Sequence, residues 1–206
     1  MNGLRGRRGG RGIGEKYSME AYYGLVKRLA CAFEDFGVEY AFTGALASSF
    51  YGVPRTTVDV DVVVAVVSDE NVRGKLVSSF RNAGLRVDVR RLEAALKSNY
   101  RIVTFMDIKS AFSVDVIFSV GKLKRIGGAV GGVKVFFQCP EDLVLAKLRM
   151  IKATVSEERG WKDREDIKAI LKFSRVNVEA LIRRARSEGT LALFEEITAR
   201  QKSGCV

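Results

Sequence analysis

Apolar side chains recur along this chain with two different periods, and the change from one to the other divides it. Tyr22, Leu25, Val26, Leu29, Phe33 and Phe36 share one face of a helix that Ser18 can cap and Gly37 ends. Tyr40 to Phe42 reads as a short strand and Ala45 to Tyr51 as two helical turns. Val58 to Ala65 reads as a strand in which Val58, Val60 and Val62 face the core. Ser68, Asp69 and Glu70 open a helix with the stripe Val72, Leu76, Val77 and Phe80, closed by Gly84. Leu85, Val87 and Val89 alternate as a strand, Arg91 to Ser98 suits a short helix, and Tyr100 to Met106 and Ala111 to Val120 alternate as two further strands. Gly127, Gly128, Gly131 and Gly132 bracket a hairpin whose return strand is Val133 to Phe137.

At Gln138 period two gives way to 3.6. Pro140 suits a first helical position, with Glu141 and Asp142 in the first turn and Leu143, Val144, Leu148 and Ile151 as the buried stripe. Ser156 caps the next helix, and two more, over Asn177 to Ser187 and Leu191 to Gln201, complete a small bundle. The expectation is an α+β chain: a Gly/Arg-rich leader over residues 1–17 with little to bury, a mixed β-sheet flanked by helices over 18–138, and a C-terminal helical bundle over 139–206.

Composition narrows the class. With 206 residues and 47% hydrophobic content the chain can bury a core, and no apolar run approaches the roughly 20 residues of a membrane span. A soluble globular protein is expected. Cys31, Cys139 and Cys205 have neither disulfide-framework nor zinc spacing, and no signal-peptide core opens the sequence, so a reducing cytoplasm fits. The absence of His removes Ser-His-Asp and Cys-His chemistry and leaves acid–base work to carboxylates, Lys or Tyr. A net charge of +11 calls for a polyanionic partner, nucleic acid in the first place, or marks a solvated basic surface. Gly12-Ile13-Gly14 lacks a preceding strand, and Gly121-Lys122 lacks the upstream Gly and following hydroxyl of a phosphate loop, so neither is read as a nucleotide motif.

The chemistry concentrates between Ala41 and Ala65. In an extended strand Asp59 and Asp61 project to one side, about 6.5 to 7 Å apart. Two carboxylates on a Val-rich strand are costly to desolvate without a cation between them, and a divalent metal is the obvious one. Gly44 lets the chain turn sharply before a helix start whose free N–H groups suit a phosphate. In Ala111 to Val120, Phe112, Val114, Val116 and Phe118 share one face and Ser113, Asp115, Ile117 and Ser119 the other, which leaves Asp115 a lone carboxylate in an apolar strand.

Gly44-Ala45, a spacer over residues 46–58, then Asp59-Val60-Asp61 resembles the signature of the polymerase-β-like nucleotidyltransferase superfamily. Ala45 departs from the Gly or Ser usual there. Pro140 to Leu143 followed by Lys147, then Lys162 to Ile167, is similar to the downstream motifs of the AbiEii-type and related small nucleotidyltransferases. The resemblance implies a nucleotidyltransferase fold and transfer of a nucleoside monophosphate from an NTP to an acceptor hydroxyl. It implies two Mg2+ or Mn2+ ions held by Asp59, Asp61 and Asp115. Gly44 and Ala45 would grip the phosphates through backbone N–H groups, helped by Ser48 or Ser49 and by Arg55. Lys147 would neutralise triphosphate charge, and Asp166, with Asp163 beside it, would orient that Lys or the base and ribose. Three readings stay open: RNA such as a tRNA end as acceptor, as in toxin-like members; a small molecule, as in aminoglycoside transferases; or no acceptor, in a catalytically silent nucleotide-binding or antitoxin-like module that partners another protein of a two-component system.

Overall fold

Ser18 caps the first helix: its Oγ accepts the N–H of Ala21 at 3.1 Å, and α1 runs over Met19–Asp35. The computed structural model describes residues 17–55, 57–66, 71–153 and 157–202. The helix start predicted at Ser68 to Glu70, the cap predicted at Ser156 and residues 1–16 of the leader lie outside the described residues. The α1 stripe is buried as its spacing requires, with Leu25, Val26, Leu29 and Phe33 wholly inside the core.

After α1 come β1 (Tyr40–Phe42), the short helix α2 (Gly44–Phe50), β2 (Asp59–Val66), α3 (Val72–Asn82), β3 (Leu85–Arg86) and α4 (Val89–Lys97). Then follow β4 (Ile102–Asp107), β5 (Ser113–Val120), β6 (Arg125–Val130) and β7 (Val133–Gln138). Among the described residues four helices follow: α5 (Pro140–Ala153), α6 (Glu157–Phe173), α7 (Val178–Ser187) and α8 (Leu191–Lys202), packed on one another. The strands form one mixed sheet in the order β3-β4-β5-β2-β1-β7-β6. The β2–β5 and β1–β7 pairs are parallel and the others antiparallel.

Alternation decides which strand face is buried. Val60, Val62 and Val64 of β2 and Val114, Val116 and Phe118 of β5 join one core with the stripes of α1 and α3. Each such side chain contributes about 1.5–3 kcal/mol on burial. Among the described residues no helix is long and apolar enough to cross a membrane.

Three local expectations differ from the structure. Val58 is exposed rather than in the core, because the ladder with β5 starts only at Asp59, opposite Ser113. β3 stops at Arg86, and α4 begins at Val89 rather than Arg91. The cause is Asp88, whose carboxylate accepts the N–H groups of Arg90 at 2.9 Å and Arg91 at 3.2 Å, so a cap overrides the strand preference of Val87 and Val89. Gly127 and Gly128 lie inside β6, and the turn is made by Gly131 and Gly132, both at positive φ.

Candidate active site

The β2–β5 ladder sets Asp61 directly opposite Asp115 and Asp59 opposite Ser113. Residues in register on neighbouring parallel strands project from the same side of the sheet, so all three carboxylates share one face. The intervening Val60, Val62, Val114 and Val116 fill the other. Asp59 accepts a hydrogen bond from Ser113 Oγ. Asp115 accepts one at 2.6 Å from Thr104 Oγ1, which β4 places opposite it. Three like charges on one face repel, and the two hydroxyls offset part of that repulsion.

The turn before α2 is fitted to Asp61. Thr43 donates its N–H to the Asp61 carbonyl at 2.9 Å, and Gly44 follows in the left-handed region at φ +58°. A Cβ at position 44 would stand 2.7 Å from Asp61 Cγ, so only glycine allows the backbone this close to the carboxylate. Thr43 precedes α2 without capping it, because its hydroxyl donates to Gln138 Oε1 at 2.5 Å instead. The start of α2 therefore carries no side-chain cap, and Ala45 lies half-buried in its first turn.

Behind the turn lies a buried polar network joining sheet and helices. Ser48 Oγ donates to the Gly44 carbonyl at 3.0 Å and reaches Asp166 Oδ2 at 3.4 Å. Asp166, 2% exposed, is also paired with Arg55 from the loop before β2 and with Lys147 Nζ at 2.5 Å. Lys147, 6% exposed, has a second partner in Asp163 at 3.1 Å. The structure thus brings Ser48, Arg55, Lys147, Asp163 and Asp166 into one cluster. Its charges are satisfied internally, as burial demands. Ser49 lies apart from it, its hydroxyl accepting the Arg55 N–H at 3.3 Å.

Other residues around the site have no motif. Tyr22 of α1, expected only to pack, is nearly fully buried, and its hydroxyl has no hydrogen-bond partner among the described residues. Burial and then the charges of Asp61, Tyr23 and Asp59 push its pKa upward. On the other face of the sheet, with Val103 and Phe105, Asp107 is tied to Arg28 at 2.7 Å and Ser110 at 2.5 Å, joining α1 to the end of β4. Only the shared parity of Ser113 with Asp115 pointed to a hydroxyl beside the carboxylates; Thr104 and Arg28 left no comparable signal.

Three carboxylates on one face form an all-oxygen donor set, which suits a hard divalent cation. Among the described residues no three His, Cys, Asp or Glu side chains are already gathered as a metal cluster. Asp59 and Asp115 instead each give oxygen to a hydroxyl.

A mixed sheet of this order with flanking and C-terminal helices, carrying its acids beside a glycine turn, has a nucleotidyltransferase fold. Similar solved structures include an antigenic nucleotidyltransferase-like protein from Paracoccidioides brasiliensis, with TM-score 0.60 and 15% identity over 90% of this chain and 92% of that one. The solution structure of the antibiotic-resistance factor ANT(2'')-Ia matches with TM-score 0.57 and 12% identity, over 90% of this chain and 97% of that one. The crystal structure of ANT(2'')-Ia in complex with adenylyl-2''-tobramycin matches with TM-score 0.59 and 14% identity, over 82% and 98%. Neither a protein-family model nor a curated protein sequence matches the chain. At such identities it is the fold that is shared.

Proposed function

We propose that this chain transfers a nucleoside monophosphate from an NTP to an acceptor hydroxyl, releasing pyrophosphate. The observation that carries the reading is the register of Asp61 against Asp115, with Asp59 on the same face and Gly44 against the Asp61 carboxylate. In this reading Asp59, Asp61 and Asp115 hold Mg2+ or Mn2+, which would neutralise charge on the phosphoryl oxygens and lower the pKa of the acceptor hydroxyl.

The chain's own residues do the positioning. Gly44 and Ala45 present backbone to the triphosphate next to Asp61, and Arg55 adds a guanidinium whose side chain is partly exposed. Ser48, Lys147, Asp163 and Asp166 brace α2 and the Arg55 loop against α5 and α6, and Lys147 contributes positive charge behind the phosphates. The acceptor oxygen attacks the α-phosphorus while the bond from that phosphorus to the bridging oxygen of the leaving pyrophosphate breaks. The hydroxyl proton passes to Asp115 or solvent. No His is needed for this route.

The net charge of +11 favours RNA as acceptor. The fold shared with ANT(2'')-Ia favours a second reading, a small-molecule acceptor. A labelled NTP, Mg2+ or Mn2+ and total cellular RNA, with protein-only and aminoglycoside controls, separates them. Label on RNA that is lost in Asp61→Asn with an unchanged melting temperature supports the proposal. Equal transfer by Asp61→Asn, or Mg-NTP binding with no transfer to any acceptor, refutes it.

A further inference from the structure

Beside the third carboxylate lies a groove of about 560 Å3, walled by Arg91, Ala94 and Ser98 from α4 and its end and by Tyr100, Ile102 and Thr104 from β4 and its approach. Thr104 belongs both to this wall and to the site, since its hydroxyl donates to Asp115 Oδ1 at 2.6 Å. The groove and the acidic face are therefore contiguous. Its size lies within the range of small-ligand pockets, about 300–1,000 Å3.

Among the described residues no carboxylate lines the groove. Arg91 is exposed and, among the described residues, has no ionic partner for its side chain. Tyr100 is 87% exposed, and Ile102 is 52% exposed on the same sheet face as Thr104. Tyr100 is held there by the backbone that follows it. Arg101 adopts φ +50°, a conformation disfavoured for a residue with a side chain. Its N–H is fixed to Ser98 Oγ at 2.9 Å and its carbonyl to the Phe118 N–H at 2.8 Å. An exposed aromatic ring kept out by a constrained turn, beside a guanidinium and an apolar ridge, suits a stacked base with a phosphate next to it. A polycationic small molecule wants the opposite lining, carboxylates without a guanidinium.

Resting on the nucleotidyl-transfer reading above, we propose that the α4–β4 groove binds the terminal nucleotides of a single-stranded RNA. Tyr100 stacks on a base, Arg91 pairs with a phosphate, and the chain end runs past Thr104 so that its terminal hydroxyl lies at Asp115. The outer edge of β4 pairs with β3 only at Met106 and Asp107, so a peptide strand is the competing occupant. Exposed Arg91 and Tyr100, in a groove that shares Thr104 with the acidic face, favour RNA.

The test uses the full chain and three ligands measured separately: a fluorescent single-stranded RNA with a free 3′ end, Mg-NTP, and the same RNA carrying a photoreactive terminal nucleoside. Arg91→Glu/Tyr100→Ala should bind the RNA at least about tenfold more weakly, as expected for losing a stacked base and a phosphate contact. Mg-NTP affinity and melting temperature should stay at the wild-type values, and the crosslink should map to the segment containing Tyr100. RNA affinity within about twofold of wild type overturns the groove assignment and leaves nucleotidyl transfer standing. So does a wild-type crosslink that maps away from the segment containing Tyr100. A wild type that binds no Mg-NTP removes the transfer reading itself, and the groove assignment with it.

Discussion

The backbone of Gly44 lies against the Asp61 carboxylate, so a side chain at position 44 would displace the acid that β2 presents. Gly44→Ala therefore has two separate costs. A left-handed φ of +58° costs alanine about 1–2 kcal/mol. The new methyl also moves Asp61 off its position opposite Asp115. The expected outcome is a modest fall in unfolding free energy, read by urea titration, with transfer reduced by roughly a hundredfold, the scale of losing one preorganised electrostatic contact. Transfer near wild type in a folded Gly44→Ala protein would show that the turn and the acid do not act together.

Asp61 and Asp115 face each other across one ladder rung, so their mutual repulsion is a cost that a bound cation removes. Millimolar Mg2+ should raise the melting temperature of the wild type. Saturation a hundredfold above Kd corresponds to about 2.7 kcal/mol. Asp115→Asn should melt at or above the wild type without the cation, and its Mg2+ response should be mostly gone. The same Mg2+ shift in Asp115→Asn as in wild type would remove that residue from the ligand set.

Much of this was legible beforehand because it follows from local rules. The period-two alternation around Asp59, Asp61 and Asp115 foretold which side chains share a face, and the move to period 3.6 after Gln138 foretold where the helices begin. What escaped depends on partners distant in sequence or on competition at one residue. No pattern shows that Arg28 meets Asp107 or that Arg55 meets Asp166, since each pair is joined only once the sheet has formed. Asp88 was hidden for the second reason: its capping hydrogen bonds outweigh the strand preference of Val87 and Val89. Val58 looked like core because alternation carries no information about where a strand ends.

Lys147 and Asp166 test the brace. Lys147→Met leaves Asp166 buried with Arg55 as its remaining cation and deprives Asp163 of its partner, which should cost about 3 kcal/mol. Adding Asp166→Leu removes the stranded charge. The double variant should then be more stable than the sum of the single losses by at least about 1 kcal/mol. Strict additivity in urea unfolding would mean that the two residues do not interact in solution.

At high pH four buried acids should act together. Burial pushes the Cys139 thiol from an ordinary 9.0 up to about 12, and it likewise raises the hydroxyls of Tyr22, Tyr40 and Tyr51 well above their usual 10.0. Each group is neutral when protonated, so the folded chain keeps protons that the unfolded chain releases. Stability is then insensitive to these groups below about pH 9 and falls as pH rises past it, because the unfolded state holds fewer protons there. The slope can reach about 1.4 kcal/mol per pH unit for each group that titrates only when unfolded. Cys139→Ala should remove the part of the decline that starts first, near pH 9. Tyr22→Phe should flatten the part above pH 10 at no cost at neutral pH, since the Tyr22 hydroxyl has no hydrogen bond to lose among the described residues. Urea unfolding at pH 8, 9.5 and 10.5 checks the sign (pH values chosen about the ordinary pKa range), and stability that rises over that range would contradict it. A thiol reagent at pH 8 gives an independent reading: exposed Cys31 should react in the native protein, and Cys139 only after unfolding.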